Sequence, residues 1–181
     1  MTIKIRPAAA GDAPALSRLG ATTFRETFES ENTREDMERY LAEAFTPERQ
    51  AGEIADPAGT VLLAERCGES GGAELVGYAH LISGPVPEAV RSPAPLEIKR
   101  IYVARAWQGR GVAQALMDAA IDAARGRGAQ TLWLGVWERN PRAVAFYVKY
   151  GFARVGEHTF VLGADTQTDW LFTRPVAAAP S

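Results

Sequence analysis

The sequence predicts a mixed α/β sheet of about seven strands flanked by about four helices, in the order β-α-α-β-β-β-α-β-α-β-β. Three observations carry this. Short apolar or alternating segments recur between glycine- and proline-rich breaks. One stretch, Gly109 to Arg125, has the three-to-four spacing of a strongly amphipathic helix. The chain after residue 96 runs strand, helix, strand, helix.

The elements follow in order. Ile3 and Ile5 alternate with polar residues and mark a first strand. Gly11-Asp12 opens a helix, with Asp12 as N-cap and Leu16, Leu19, Phe24 and Phe28 as its buried side. A second helix runs from Thr33 to Phe45 and ends before Pro47, with Met37, Tyr40, Leu41 and Ala44 on one face. Val61 to Arg66 and Leu75 to Ile82 read as strands joined by a hairpin turn at Gly68, Gly71 and Gly72. Four prolines between Gly84 and Pro95 forbid regular structure and predict a surface loop. Leu96 to Val103 is the next strand. The amphipathic helix follows, with Val112, Leu116, Ala119, Ala120 and Ala123 as its apolar face and Gly126 and Gly128 as its stop. Thr131 to Trp137 is a strand, Pro141 to Tyr150 a helix closed by Gly151, and Phe152 to Leu162 and Asp169 to Arg174 the last two strands. Residues 1–175 thus form one domain, with 176–181 as a flexible tail.

Composition narrows the function. A formal net charge of -2 argues against a nucleic-acid binder, which would show a basic excess. Cys67 is the single cysteine, so no internal disulfide forms and a reducing compartment is expected. The first residues lack the apolar run of a secretory signal, and no stretch is apolar enough to span a bilayer. The expectation is a cytoplasmic protein without membrane or nucleic-acid partners. His80 and His158 are too few and too far apart for a metal site, so no metal is expected.

The sharpest chemical signal is Leu96-Glu-Ile-Lys-Arg-Ile-Tyr-Val103, then Ala104-Arg-Ala-Trp107, then Gln108-Gly-Arg-Gly-Val-Ala113. A strand feeds a turn with two glycines, and a helix follows. Glycines let backbone approach a ligand closely. The helix N-terminus offers unpaired N–H groups and a positive dipole end. Together these suit a pyrophosphate, with Arg110 as an added cation. A P-loop would need Gly-Lys-Ser/Thr here, and a dinucleotide fingerprint would need Gly or Ala where Gln114 stands. Both are excluded. An ordinary left-handed turn and helix cap is the alternative for the segment read alone.

What remains, Gln-x-x-Gly-x-Ala over Gln108, Gly109, Arg110, Gly111, Val112 and Ala113, resembles the acetyl-CoA loop of the GNAT superfamily of N-acetyltransferases. Downstream, Trp133-Leu-Gly-Val-Trp-Glu-Arg-Asn140, Pro-Arg-Ala-Val-Ala-Phe-Tyr147 and Val-Lys-Tyr-Gly-Phe152 resemble the second motif of that superfamily. A closer similarity, to PaiA-type polyamine N-acetyltransferases, rests on Glu26-Thr-Phe28, Leu96-Glu-Ile98 with Ile101-Tyr102, Trp133-Leu-Gly-Val-Trp137 and Gln167-Thr-Asp169. The resemblance implies the GNAT fold, parallel strands splayed at the acetyl-CoA site, acetyl-CoA as co-substrate, and spermidine or spermine as acceptor.

It also implies roles. Tyr147 is the general acid for the departing thiolate, since a thiol of pKa about 8.5 leaves better when a proton arrives with it; the alternative is a core tyrosine beside Phe146. Glu97 is the base for an ammonium of pKa about 10.4, directly or through water. It reads equally as a solvated strand glutamate or as a purely electrostatic binder of the ammonium. Ile101, Tyr102 and Val103 offer backbone to the pantetheine arm, with a backbone N–H to polarise the thioester. Asn140 is a helix N-cap ahead of Pro141 and, by resemblance, a pantetheine ligand. Phe146 belongs to the cofactor-side motif. Lys149 is either a partner for a CoA phosphate or an exposed helix lysine. Glu26, Glu29, Glu31, Glu35, Asp36 and Glu38 make the first helical region acidic, as a wall for a cationic amine, with Glu26, Glu29 and Asp36 as its binding residues, or as a solvated face. Two rival activities stay open: acetylation of a protein or peptide amine, and binding of acetyl-CoA without turnover. The chain is expected to act as a monomer or homodimer on a small amine.

Overall fold

The run Val61-Leu-Leu-Ala64 shows how the sheet is covered. Val61 and Leu63 pack into one core with Leu16, Phe24, Phe28, Met37 and Leu41. Leu62 and Ala64 pack into another with Leu116, Met117 and Ala120. Side chains alternate across a strand, so four consecutive apolar residues mean that both faces are buried.

This computed structural model describes residues 2–67, 73–162 and 165–176. Seven strands form one sheet: β1 (Thr2–Pro7), β2 (Gly59–Cys67), β3 (Ala73–Ile82), β4 (Pro95–Val103), β5 (Thr131–Trp137), β6 (Ala153–Leu162) and β7 (Asp165–Pro175). Their spatial order is β1-β2-β3-β4-β5-β7-β6. Every pairing is antiparallel except β4 with β5. Helices α1 (Ala13–Phe28), α2 (Arg34–Ala44) and α3 (Pro47–Ala55) belong to the first face. Helix α4 (Val112–Gly126) and helix α5 (Pro141–Lys149) belong to the second. The expected mixed sheet of seven strands is present.

Several expectations move in detail. The helix expected from Gly109 begins at Val112, because Gly109 and Gly111 both have positive φ and form the turn before it. Its buried face includes Met117, Ile121 and Ala124, while Ala119 and Ala123 are only partly buried. Helix α3 was not anticipated from the sequence. Pro47 does end α2, but it also starts α3 at the first helical position, with Thr46 accepting from the Arg49 N–H at 3.1 Å. Gln50 then ties α3 back to α2 by donating to the Ala44 carbonyl. Asp12 precedes α1 without a side-chain cap. Its carboxylate instead receives two hydrogen bonds from Arg6 and one from the Ala9 N–H.

The proline-rich loop is pinned through Val90 and Ala94, whose carbonyl accepts from the Gln130 N–H at 3.0 Å. Val90 is buried against Trp133 and Leu171. Val176, assigned to the tail, donates to the Gln130 carbonyl at 2.8 Å. The expected turn at Gly68, Gly71 and Gly72 and the tail residues 177–181 lie outside the described residues.

Candidate active site

The parallel pair β4–β5 stays in register for three residues only: Pro95 with Thr131, Leu96 with Leu132, and Glu97 with Trp133. Beyond that point β4 continues along β3, and β5 continues along β7. The two strands part. A bulge helps β4 turn away, because His80 pairs with Arg100 while Leu81 pairs with Ile98, leaving Lys99 as the extra residue. In an antiparallel pair only alternate residues of a strand bond to that neighbour. Part of the backbone of Ile101–Val103 therefore faces the gap. A cleft of about 730 Å³ occupies this gap.

On the α4 side the cleft is made of backbone. Gly109 (φ 75) and Gly111 (φ 84) have no atoms within 4 Å of where a Cβ would stand. A side chain there would be strained and would fill the open approach. No side chain caps α4, and its first ladder bond runs from the Ala115 N–H to the Gly111 carbonyl. The preceding N–H groups are thus left for an anion. Arg110 stacks on Trp107, with Arg66 also against that ring. The donor set fits the pyrophosphate end of acetyl-CoA. Gln108 spans the mouth. Its amide donates to the Val103 carbonyl at 3.1 Å, and its oxygen accepts from Arg142.

Helix α5 supplies the opposite wall. Asn140 accepts from the Ala143 N–H at 3.1 Å, and Pro141 sits at the first helical turn, so the capping reading is realised. Asn140, Ala143, Phe146 and Tyr147 line the cleft. Tyr147 is buried and meets Phe146 and Phe152 edge-on. Burial pushes its phenol well above the ordinary range, so it holds its proton. Glu97 lines the same cleft, half-buried on the strand where the splay begins. Burial raises its carboxyl, against the pull of Lys99 and Arg100.

The cleft also gathers Ile101, Tyr102, Val103, Gln108, Gly109 and Ala113. Other expected site residues lie off its lining. The side chain of Val112 is buried in the core below α4, and Arg110 and Lys149 are exposed. Tyr150 packs against Phe146 and donates to the Gln114 carbonyl.

The third wall comes from α1, α2, β6 and β7. Glu26 lines it, but its carboxylate accepts from the Arg105 N–H at 3.0 Å. The acidic wall expected on α2 is absent from the cleft. Asp36 is taken up by the Thr33 cap and by Arg39, Glu38 pairs with Arg34, and Glu35 with Arg39. These are i,i+3 and i,i+4 partners, so α2 neutralises these three carboxylates itself. Glu29 is exposed away from the lining.

Aromatic rings take that space. Phe24 stacks on Tyr40 at 4.6 Å, and Phe28 tilts against Trp137 at 5.5 Å. His158 and Asp169, neither given a role from the sequence, face the cleft from neighbouring strands. Asp169 lies within the Gln167-Thr-Asp169 segment that carried the resemblance, but nothing local marks His158. Below this wall, Arg100 pairs with Glu53 at 2.6 Å and stacks on Phe45. His80 faces the same carboxylate at 3.5 Å, and burial pushes its pKa down to about 4. It is therefore a neutral structural residue.

Comparisons with known proteins agree with this geometry. The model of the acetyltransferase (GNAT) family matches residues 21–152. An uncharacterised N-acetyltransferase of Lactobacillus delbrueckii subsp. lactis is 35% identical over 172 residues, covering 95% of this chain and 96% of its own. The N-alpha-acetyltransferase RimI of Mycobacterium tuberculosis is 37% identical over 105 residues, covering 56% of this chain and 61% of its own. Among crystal structures, the PaiA N-acetyltransferase of Thermoplasma acidophilum in complex with coenzyme A superposes with a TM-score of 0.76 at 19% identity, over 97% of this chain and 99% of that one. No helix among the described residues is long and apolar enough to cross a membrane. The chain therefore belongs to the acetyltransferase (GNAT) family and is an N-acetyltransferase that draws on acetyl-CoA.

Proposed function

We propose that the protein transfers acetyl from acetyl-CoA directly to a primary amine, with a polyamine such as spermidine or spermine as acceptor. One observation carries the reading: Glu97 and Tyr147 stand on the same cleft, opened by the parting of β4 and β5. The α4 turn holds the pyrophosphate, and the free edge of Ile101–Val103 takes the pantetheine arm. Glu97 removes a proton from the acceptor ammonium, and the amine nitrogen then bonds to the thioester carbon. As the carbon–sulfur bond breaks, Tyr147 gives its proton to the sulfur, and the nitrogen releases its surplus proton to solvent, from which the phenolate recovers its own. The phenol is protonated at neutral pH, so the proton is in place to be given. No acyl-enzyme is required, and Cys67, exposed at the end of β2, takes no part. A lone thiol of this kind fits a cytoplasmic location.

The aromatic wall and the half-buried carboxylates of Glu97 and Asp169 support an aliphatic cation as acceptor. A second reading, a peptide N-terminus, is favoured by the partial match to the mycobacterial N-alpha-acetyltransferase. Thiol release from acetyl-CoA should be measured against spermidine, spermine, putrescine, aminoglycosides and short peptides, with product masses. Release with polyamines supports the proposal. Release with peptides alone keeps the chemistry and discards the acceptor. Bound acetyl-CoA with no release for any amine points to a binding module and rejects catalysis.

A further inference from the structure

Strand β5 presents Trp133, Gly135 and Trp137 to the acceptor face, while Leu132, Leu134 and Val136 point into the α4 core. Gly135 is a notch between two tryptophans. A Cβ there would stand 3.1 Å from His158 Nε2 and 3.3 Å from Asp169 Oδ2. The missing side chain is what lets that pair lie over the strand. Asp169 pairs with Trp137 across β5–β7 and with His158 across β6–β7. The imidazole is 3.8 Å from its carboxylate, too long for a hydrogen bond.

The charges around the cleft are sorted. Arg100 is bound to Glu53, Arg105 to Glu26 and Arg142 to Gln108, and Arg139 lines the cleft as an exposed residue. Lys99 is exposed on the bulge. Glu97 and Asp169 are two lining carboxylates with no arginine or lysine ion pair among the described residues. Glu97 lies one strand to the side of Trp133, and the Asp169 carboxylate lies over Gly135, two residues further along. Strand spacing alone separates them by roughly 8–10 Å. Phe28, Tyr40 and Trp137 line the space nearby, apolar surface suited to methylene groups.

We infer that Asp169 is a specificity-determining residue that binds a second cationic group of the acceptor while Glu97 attends the reacting nitrogen. The inference rests on the amine-acetylation reading above and adds to it the number and spacing of charges on the substrate. Burial raises the Asp169 carboxyl, against the pull of the neighbouring His158 imidazole. A bound ammonium would offset that burial by a charge-assisted hydrogen bond.

The test is steady-state kinetics with α,ω-diamines of increasing length against the n-alkylamine of matching length, for wild type, Asp169→Asn and Asp169→Glu. Wild type is expected to favour the diamine in kcat/KM by about tenfold or more, with an optimum at intermediate length. Asp169→Asn should bring the diamine-to-monoamine ratio close to one, mainly through KM, and Asp169→Glu should restore part of it. An unchanged ratio in Asp169→Asn overturns the inference, as does an equal loss on both amines. Wild-type turnover of both amines with no diamine preference defeats this inference alone. Turnover of neither amine defeats the polyamine-acceptor reading on which the inference rests.

Discussion

The two halves of the cleft are built from different materials. Toward α4 the surface is backbone: two glycines at positive φ, an uncapped helix start and a free strand edge. Toward α1 and β7 it is side chains: Phe24 and Tyr40, Trp137, and the pair His158–Asp169. A backbone site is specified by a few adjacent residues, and it suits a ligand that never changes. A side-chain site draws on distant segments and can be altered without touching the sheet. Donor and acceptor recognition should therefore respond separately to mutation.

The largest expected break in this comparison is at the point where the halves meet. Glu97→Gln should lower kcat by about a hundredfold or more while acetyl-CoA still binds. Glu97 acts ionised, and burial raises its carboxyl, so wild-type kcat/KM should climb with pH through a limb above the ordinary carboxylate range. That limb should vanish in Glu97→Gln, as a pH–rate profile will show.

The next effect lies beneath the acceptor wall. The unfolded chain protonates His80 near its ordinary value of 6.5, whereas the folded protein resists protonation until about 4. Stability is therefore fully present above that window and falls as pH drops through it, by up to about 3 kcal/mol. Urea titrations at neutral pH and near the lower end should show the fall, reduced in His80→Gln.

The donor half should yield to backbone substitution. Gly111→Val places a β-branched residue at φ 84, where only glycine is comfortable. The KM for acetyl-CoA should rise about tenfold, with amine specificity kept. The smallest effect sharpens the other half. Thr46→Ala removes the cap of α3, which carries Glu53 and so holds Arg100 beneath the acceptor wall. A loss of about 1 kcal/mol is expected in urea, without a change in acetyl-CoA affinity.

Legibility in the sequence divides along the same line. The donor half could be read because Gln108 to Ala113 is contiguous and because only backbone geometry is needed. The strands were equally plain, since Val61 to Ala64 and Leu132 to Val136 are apolar through and through. The start of α4 was placed three residues early, since spacing alone does not reveal which glycines turn left-handed. Helix α3 escapes a sequence reading because Pro47, which ends one helix, also starts the next at its first position. The acceptor half resisted for a different reason. Acidic residues on α2 looked like a wall, but Arg34 and Arg39, one turn away, absorb Glu38 and Glu35. Asp169 and His158 meet only through strand register, and the glycine beneath them gains meaning only once β5 and β7 are paired. Tyr147 and Glu97 lie fifty residues apart, and it was resemblance to a family, rather than spacing, that suggested they belong together.

The most direct test of the account is Tyr147→Phe, assayed for acetyl-CoA binding by calorimetry and for thiol release with the preferred amine. The substitution removes one hydroxyl from a buried ring and leaves its packing on Phe146 and Phe152 in place. The account predicts near-native acetyl-CoA affinity with kcat reduced by about a hundredfold or more. Undiminished turnover would contradict it and remove Tyr147 from the proton path.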